Sequence, residues 1–375
     1  MSHFKITHES KFINGVNYQL HYGFDFGEHR SIPHLGLHHK PRLELVGNDF
    51  AQLAAHGVRS VRMNVFADGR TGIIYSGTGN ALGIQDSVIE GVLDLLRVAG
   101  EHDILVSLVM LDHKLAERAE WIDGTKPELG AKQGHGRLLL TRSGRDEMMN
   151  NIFRPLLQGL GKSKPQNLLS FELVNEPELL VQGLSTVRSM QTLLPRADIP
   201  HIKAYMRAFR DLARSETQAQ FTVGSLAMKH AGIWLDVLDP EHDYLSIHYY
   251  GQNGEPAYRD LYREDEPGDP LKTVKGLQRR IPLVWGEYAA NGFSDFSQRD
   301  FPQDFASAAQ FLEDALNNQV KGAYAWAFRS PLGALGDLFG PVPLEQHREF
   351  AQTHLLTPLA SLPRLEGEGP GVRVS

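Results

Sequence analysis

Residues 86–111, DSVIEGVLDLLRVAGEHDILVSLVML, place a helix and a strand back to back. From Asp86 to His102 the apolar residues Val88, Ile89, Val92, Leu95, Leu96 and Ala99 recur with the 3.6-residue period of an amphipathic helix. From Asp103 to Leu111 the run is almost continuously apolar. Such a strand is covered on both faces, as in a parallel sheet packed between helices.

The same alternation extends in both directions. Strands are expected at Phe12–Gly23, Val58–Val65, Leu168–Val174, Gln220–Leu226, Tyr244–Tyr250, Pro282–Tyr288 and Gly322–Phe328. Helices are expected around Asn48–His56, Arg145–Leu160, Ile202–Arg214, Ile233–Leu238, Leu271–Arg280, Asp304–Asn317 and Leu344–His354. Eight strands, each followed by a helix, predict a single closed (β/α)8 TIM barrel, with a doubly wound sheet as the structural alternative. Loop lengths point the same way. Helix-to-strand links such as His56-Gly57, Glu241–Asp243 and Gln319–Lys321 are short. Strand-to-helix links are long: Phe66–Gln85, Asp112–Gly144, Pro177–His201, Gly251–Pro270, Asn291–Gln303 and Arg329–Pro343. In a barrel the long loops all fall on the C-terminal face, where barrel enzymes build their sites. Residues 1–356 are read as the catalytic domain and 357–375, rich in proline and glycine, as a peripheral tail.

Composition narrows the function. The 375 residues contain no cysteine, which removes disulfides, thiolate zinc sites and cysteine nucleophiles together. The net charge of −7 comes with no basic stripe, so no nucleic-acid partner is expected. No apolar run has the length of a membrane span, so no membrane partner is expected either. MSHFKITHES lacks the apolar core of a leader, which predicts a cytoplasmic protein if Met1 is the native start and a secreted one if a leader has been removed.

Two carboxylic acids stand at strand ends. Asn175-Glu176-Pro177 directly follows the fourth strand, and Glu287 lies in VWGEY at the end of the seventh. Alone, the first is equally well a turn with an exposed glutamate, and the second a salt bridge at the barrel mouth. Together they supply what cleavage of a glycosidic bond with retention requires, two carboxyl groups about 5–5.5 Å apart.

Given these residues, the sequence resembles glycoside hydrolase clan A, and most of all its family 5, the cellulase and mannanase family. There the acid/base glutamate follows an asparagine on strand four and the nucleophile ends strand seven, positions that Asn175-Glu176 and Glu287 match. The resemblance extends to Arg62 in VRMNV on strand two, His113 in LDHK after strand three, His248 and Tyr250 in SIHYYG on strand six, and Trp326 in YAWAF on strand eight. Asn17 in NGVN resembles the family's strand-one segment. The resemblance implies a retaining β-glycoside hydrolase, working on β-linked glucan or mannan oligo- or polysaccharide through a covalent glycosyl-enzyme, with no cofactor. In that scheme Arg62 and Tyr250 donate to Glu287, and the negative Glu287 raises the pKa of Glu176. Asn175 hydrogen-bonds the sugar 2-hydroxyl, His248 tunes the acid/base, and Trp326 offers a flat face to the reacting sugar. Tyr22 and Trp121 are further candidates for stacking on sugars. Competing readings exist for Arg62 (an ion pair closing the barrel end), His113 (a loop histidine) and Trp326 (core packing).

Two rival functions remain open at this level. One is a non-catalytic carbohydrate-binding barrel. The other is a metal-dependent barrel hydrolase, if His21, His113, His135 and His248 converge; His34, His38 and His39 show no spacing that names a partner. Endo-β-1,4-glucanase and β-mannanase are the leading activities. The insert Asp112–Gly144, by blocking one end of the cleft, would instead make an exo-acting β-glycosidase.

Overall fold

A computed structural model describes residues 3–21, 23–29, 34–116, 135–181, 184, 196–226, 228–248, 270–289, 308–328 and 344–355. The barrel strands are β1 (Ile13–Tyr18), β2 (Ser60–Ala67), β5 (Leu105–Asp112), β6 (Leu168–Asn175), β7 (Gln220–Ser225), β8 (Leu245–His248), β9 (Leu283–Ala289) and β10 (Gly322–Phe328). They close in the order β1-β10-β9-β8-β7-β6-β5-β2, every neighbouring pair parallel. This is the expected (β/α)8 barrel, and the doubly wound alternative is set aside. The near-continuous apolar strands are buried throughout, as β5 and β6 show.

The helices are α1 (Lys40–Ala55), α2 (Asp86–Glu101), α3 (Gly136–Leu140), α4 (Arg142–Glu147), α5 (Arg154–Ser163), α6 (Ile199–Glu216), α7 (Met228–Ala231), α8 (Pro270–Gln278), α9 (Ala308–Asn317) and α10 (Leu344–His354). Helix α1 begins at Lys40 rather than near Asn48, because Pro41 sits in its first turn, where a missing N–H is harmless. The expected helix Arg145–Leu160 is α4 and α5 joined through a π-helical segment, Met148–Phe153. Near Ile233 there is only α7 followed by a 3-10 turn, Gly232–Trp234. The first strand stops at Tyr18, short of Gly23, as the chain turns and the His21 N–H bonds to Asp25 Oδ1 at 2.7 Å. The loop after β2 contains an unforeseen antiparallel hairpin, β3 (Ile73–Tyr75) with β4 (Ala81–Ile84). It is held to the π segment, where Asn151 Nδ2 donates to the Ala81 carbonyl at 2.8 Å. Among the described residues, no helix is long and apolar enough to cross a membrane. The tail after residue 355 lies outside the described residues.

Polarity climbs along the barrel axis. At the N-terminal end of the strands Ile13, Leu105, Leu169, Tyr244, Val284 and Tyr324 form a dry plug, completed by Ile6 from the leading segment. That segment is tied down by Gln220, whose Oε1 accepts from the Ile6 N–H and whose Nε2 donates to the Ile6 carbonyl. One layer higher, hydroxyls satisfy each other: Ser60 with Tyr324 at 2.7 Å, Ser107 with Ser170 at 2.6 Å, and Ser170 with Tyr244 at 2.7 Å. Above them the barrel holds charge.

Candidate active site

Arg62 sits at the centre of that upper layer, 3% exposed and donating to four side chains. Its Nε and Nη2 form a fork on Glu172, at 3.1 and 2.9 Å. Nη1 reaches Glu287 Oε1 and Asn17 Oδ1, both at 2.9 Å, and Nη2 reaches Asn175 Oδ1 at 2.7 Å. A buried guanidinium is stable only if its charge and donors are fully matched, and here two carboxylates and two amides do so. Burial works against the cation, but Glu172 and then Glu287 outweigh it and hold Arg62 more firmly charged than usual.

Glycines make room for this cluster. A Cβ on Gly224 would lie 2.2 Å from Glu172 Oε1, and one on Gly286 would lie 2.1 Å from Ser246 Oγ. Neither position tolerates a side chain without displacing a buried polar group.

Glu176 and Glu287 have opposite surroundings. Glu287, 4% exposed at the end of β9, accepts from Arg62. Glu176 directly follows β6 with φ 52° and ψ 60°, the left-handed region, which costs a non-glycine residue roughly 1–3 kcal/mol and clusters at functional sites. Its N–H bonds to the Gly224 carbonyl at 3.0 Å, anchoring the turn to the neighbouring strand. Its carboxyl meets His248 Nδ1 at 2.9 Å. Burial pushes Glu176 up to about 7, opposed by the nearby His113 and reinforced by the Asp112 charge. Glu287 was expected to supply that upward push; the leading contributions are instead burial and Asp112. Burial drives His248 down to about 4, against the pull of Glu287, so the ring is neutral at pH 7.

The two glutamates are brought together. Glu176, His248 and Glu287 each offer a donor atom, and these lie within 4.8 Å of one another. His248 Nδ1 is also 3.4 Å from Glu287 Oε2. Asn175 uses its carbonyl oxygen on Arg62 and one amide hydrogen on Asp112 Oδ2 at 3.0 Å, leaving a second N–H for another acceptor. His113 is buried beside the pair, its Nδ1 3.1 Å from Asp112 Oδ1 and 3.7 Å from Glu176 Oε2, so it is not a free loop histidine. Trp326 is half-buried near the end of β10, between the buried Ala325 and Ala327. Asn17 locks the cluster from β1 by donating to the Gly286 carbonyl at 3.0 Å. Tyr22, Trp121 and Tyr250 lie outside the described residues.

Three acids escaped the sequence reading. Glu172 had a signal, a charge in the middle of the apolar run LLSFELV that is affordable only when paired. Asp112 orients Asn175 and accepts the Lys114 N–H at 2.9 Å. Glu178, fully buried, accepts from Ser225 Oγ at 2.5 Å, the Leu226 N–H at 3.0 Å and Trp234 Nε1 at 2.6 Å, pinning the loop behind Glu176 to the end of β7. Among the described residues the four histidines of the metal rival do not form one ligand group. His113 and His248 flank Glu176, whereas His135 stacks on Tyr75 with centroids 3.8 Å apart.

No family model matches the chain, and no curated protein matches it in sequence. Its fold does match solved structures. An endo-1,4-β-mannanase from Eisenia fetida superposes with a TM-score of 0.65 at 17% identity, covering 90% of each chain. A β-mannanase from the blue mussel Mytilus edulis gives 0.62 at 17% identity over 92% of this chain and 93% of that one. A GH5-4 broad-specificity endoglucanase from an uncultured bacterium gives 0.55 at 13% identity over 93% and 97%. At these identities what the chain shares with them is the barrel fold, along nearly its whole length.

Proposed function

We propose that the chain is a retaining β-glycoside hydrolase of the family 5 type, acting on β-1,4-linked mannan or glucan chains, with Glu176 as acid/base and Glu287 as nucleophile. The observation that carries this reading is the pairing of two glutamates with donor atoms within 4.8 Å and with opposite electrostatic surroundings. A nucleophile must stay ionised, and Glu287 faces the Arg62 cation; a general acid must hold a proton near neutrality, and Glu176 is enclosed enough that its pKa is pushed up to about 7. Mannanases and endoglucanases among the structural neighbours support a β-glycan substrate.

In the first step the Glu176 carboxyl gives its proton to the glycosidic oxygen. The bond from that oxygen to the anomeric carbon breaks as a Glu287 oxygen bonds to the same carbon from the opposite face. The leaving sugar departs as an alcohol and Glu287 becomes an ester. In the second step the Glu176 carboxylate takes a proton from water, whose oxygen attacks the anomeric carbon and frees Glu287. Two inversions leave the configuration as it began. Neutral His248, in contact with Glu176, can hydrogen-bond either protonation state of the acid/base, because its Nδ1 is a donor or an acceptor according to tautomer. The free N–H of Asn175 suits a sugar hydroxyl next to the reacting carbon.

Screening on aryl β-mannoside, aryl β-glucoside, mannan and carboxymethyl cellulose tests the reading. Turnover with the first-formed product in the β configuration by proton NMR is expected, abolished in Glu287→Ala. An α product, or sugar binding without turnover on any of these substrates, overturns it; the latter outcome is that of a carbohydrate-binding barrel. Residues 117–134 of the Asp112–Gly144 insert, on which exo action would depend, lie outside the described residues.

A further inference from the structure

A second ligand cluster sits in the loop between β1 and α1, on the same face of the barrel as the catalytic pair. Glu28, His38 and His39 offer donor atoms within 4.8 Å of one another. Both imidazoles aim Nε2 at one atom: His38 Nε2 is 2.7 Å from Glu28 Oε1, and His39 Nε2 is in still closer contact with the same oxygen. The rings lie side by side with centroids 4.0 Å apart, and His34 packs edge-on against His39 at 4.8 Å.

The arrangement is built by the backbone. The Glu28 N–H bonds to Gln85 Oε1 at 2.6 Å, and Gln85 Nε2 returns a bond to the Glu28 carbonyl at 3.2 Å, so the carboxylate stands on the residue that caps α2. On the other leg the fully buried Leu37 donates its N–H to the Asp25 carbonyl at 2.9 Å, closing the neck of the loop. His39 is the residue before the first turn of α1, and its carbonyl accepts from the Arg42 N–H at 2.9 Å. Neither histidine nor the glutamate is therefore carried on a free-swinging segment. The Nδ1 of His38 is buried with no hydrogen-bond partner among the described residues, which leaves Nε2 as the ring's working atom.

Two nitrogens crowded on one carboxylate oxygen make a poor hydrogen-bond arrangement and a good coordination one. We propose that Glu28, His38 and His39 bind a divalent first-row transition ion, Zn2+ being the representative. Two imidazoles and a carboxylate suit borderline ions of this kind, and three protein ligands with water in the fourth position form a complete tetrahedral shell. With metal–ligand distances of about 2.0–2.2 Å, tetrahedral donors stand about 3.3 Å apart, so the His38 ring needs to retreat from Glu28 by about 0.6 Å and the His39 ring by more. The side chains are 16%, 25% and 39% exposed for His38, His39 and Glu28, which gives an ion an entry path and room for its water. The ion clamps the first strand-to-helix loop onto the start of α1; it takes no part in bond cleavage, and the inference stands whether or not the chain is a glycosidase.

Calorimetric titration of Zn2+ into metal-free, full-length protein, with Co2+ absorption as a probe of tetrahedral geometry, tests the assignment. One ion per chain is expected, with affinity reduced about a hundredfold or more in Glu28→Gln and in His38→Ala/His39→Ala, and unchanged in Glu287→Gln. At a hundredfold excess over Kd the wild-type Tm should rise by about 3 °C, a gain absent from the loop variants. Melting in chelator checks that the variants are folded; if the double variant is not, His39→Gln replaces it. No binding in the micromolar range overturns the proposal. So does binding that survives in the loop variants and disappears in Glu287→Gln, which would place the ion on Glu176, His248 and Glu287.

Discussion

Replacing Glu176 by glutamine removes a half-buried ionisable group while keeping the shape of the side chain and its contact with His248. The folded carboxyl titrates at about 7, against 4.5 for the free group. Between those values the folded chain holds a proton that the unfolded chain has released, so wild-type stability falls as pH rises through that window and levels off above it. At roughly 1.4 kcal/mol for each pH unit the loss is about 3 kcal/mol, with little discount for solvent because the side chain is 14% exposed. The glutamine variant carries no such term. Urea midpoints should therefore nearly coincide at pH 4, and the variant should be the more stable by about 3 kcal/mol at pH 9. On the proposed mechanism the same substitution removes the proton donor, so kcat/KM on oligosaccharides should fall by about two to four orders of magnitude. Aryl glycosides with strongly activated leaving groups need no donor, and their first step should be nearly spared. Equal pH slopes for the two proteins would refute the electrostatic reasoning, and equal losses on both substrate types would refute the assignment of the acid.

Arg62→Met leaves Glu172 and Glu287 buried without their shared cation and should destabilise the fold by about 3–5 kcal/mol in urea unfolding at pH 7; adding Glu172→Gln should recover part of that loss. Gly224→Ala pushes a methyl against Glu172 and should cost about 1–3 kcal/mol, with activity lowered more than expected for a surface loop change, because Glu172 orients Arg62. If the alanine variant melts and turns over like the wild type, the packing around Glu172 is looser than described.

The strands were legible because a doubly covered strand writes its burial directly as a run of apolar residues, and β5 and β6 do so almost without interruption. Strand order placed Glu176 and Glu287 at the mouth for the same reason. Features that depend on contacts between distant segments were not legible. The β3–β4 hairpin is two short strands whose support comes from Asn151 and Glu147, far along the chain. The π segment leaves no mark in the apolar spacing of residues 145–160. Glu172 carried a visible anomaly, but its partner Arg62 is 110 positions away. His38 and His39 looked isolated because the carboxylate they face, Glu28, precedes them by 10 and 11 positions.

Arg62 gathers β1, β2, β6 and the end of β9 around a single guanidinium, through Asn17, Glu172, Asn175 and Glu287. The proposed catalytic apparatus and the architectural keystone are thereby the same object. If Glu287 is the nucleophile proposed, a descendant that abandoned bond cleavage could not simply shed it, since the buried Arg62 cation would lose one of its two carboxylate partners. Glu287 would have to be traded together with Arg62 or replaced by another anion, and a barrel of this design is held to its chemistry by the mechanics of its own closure.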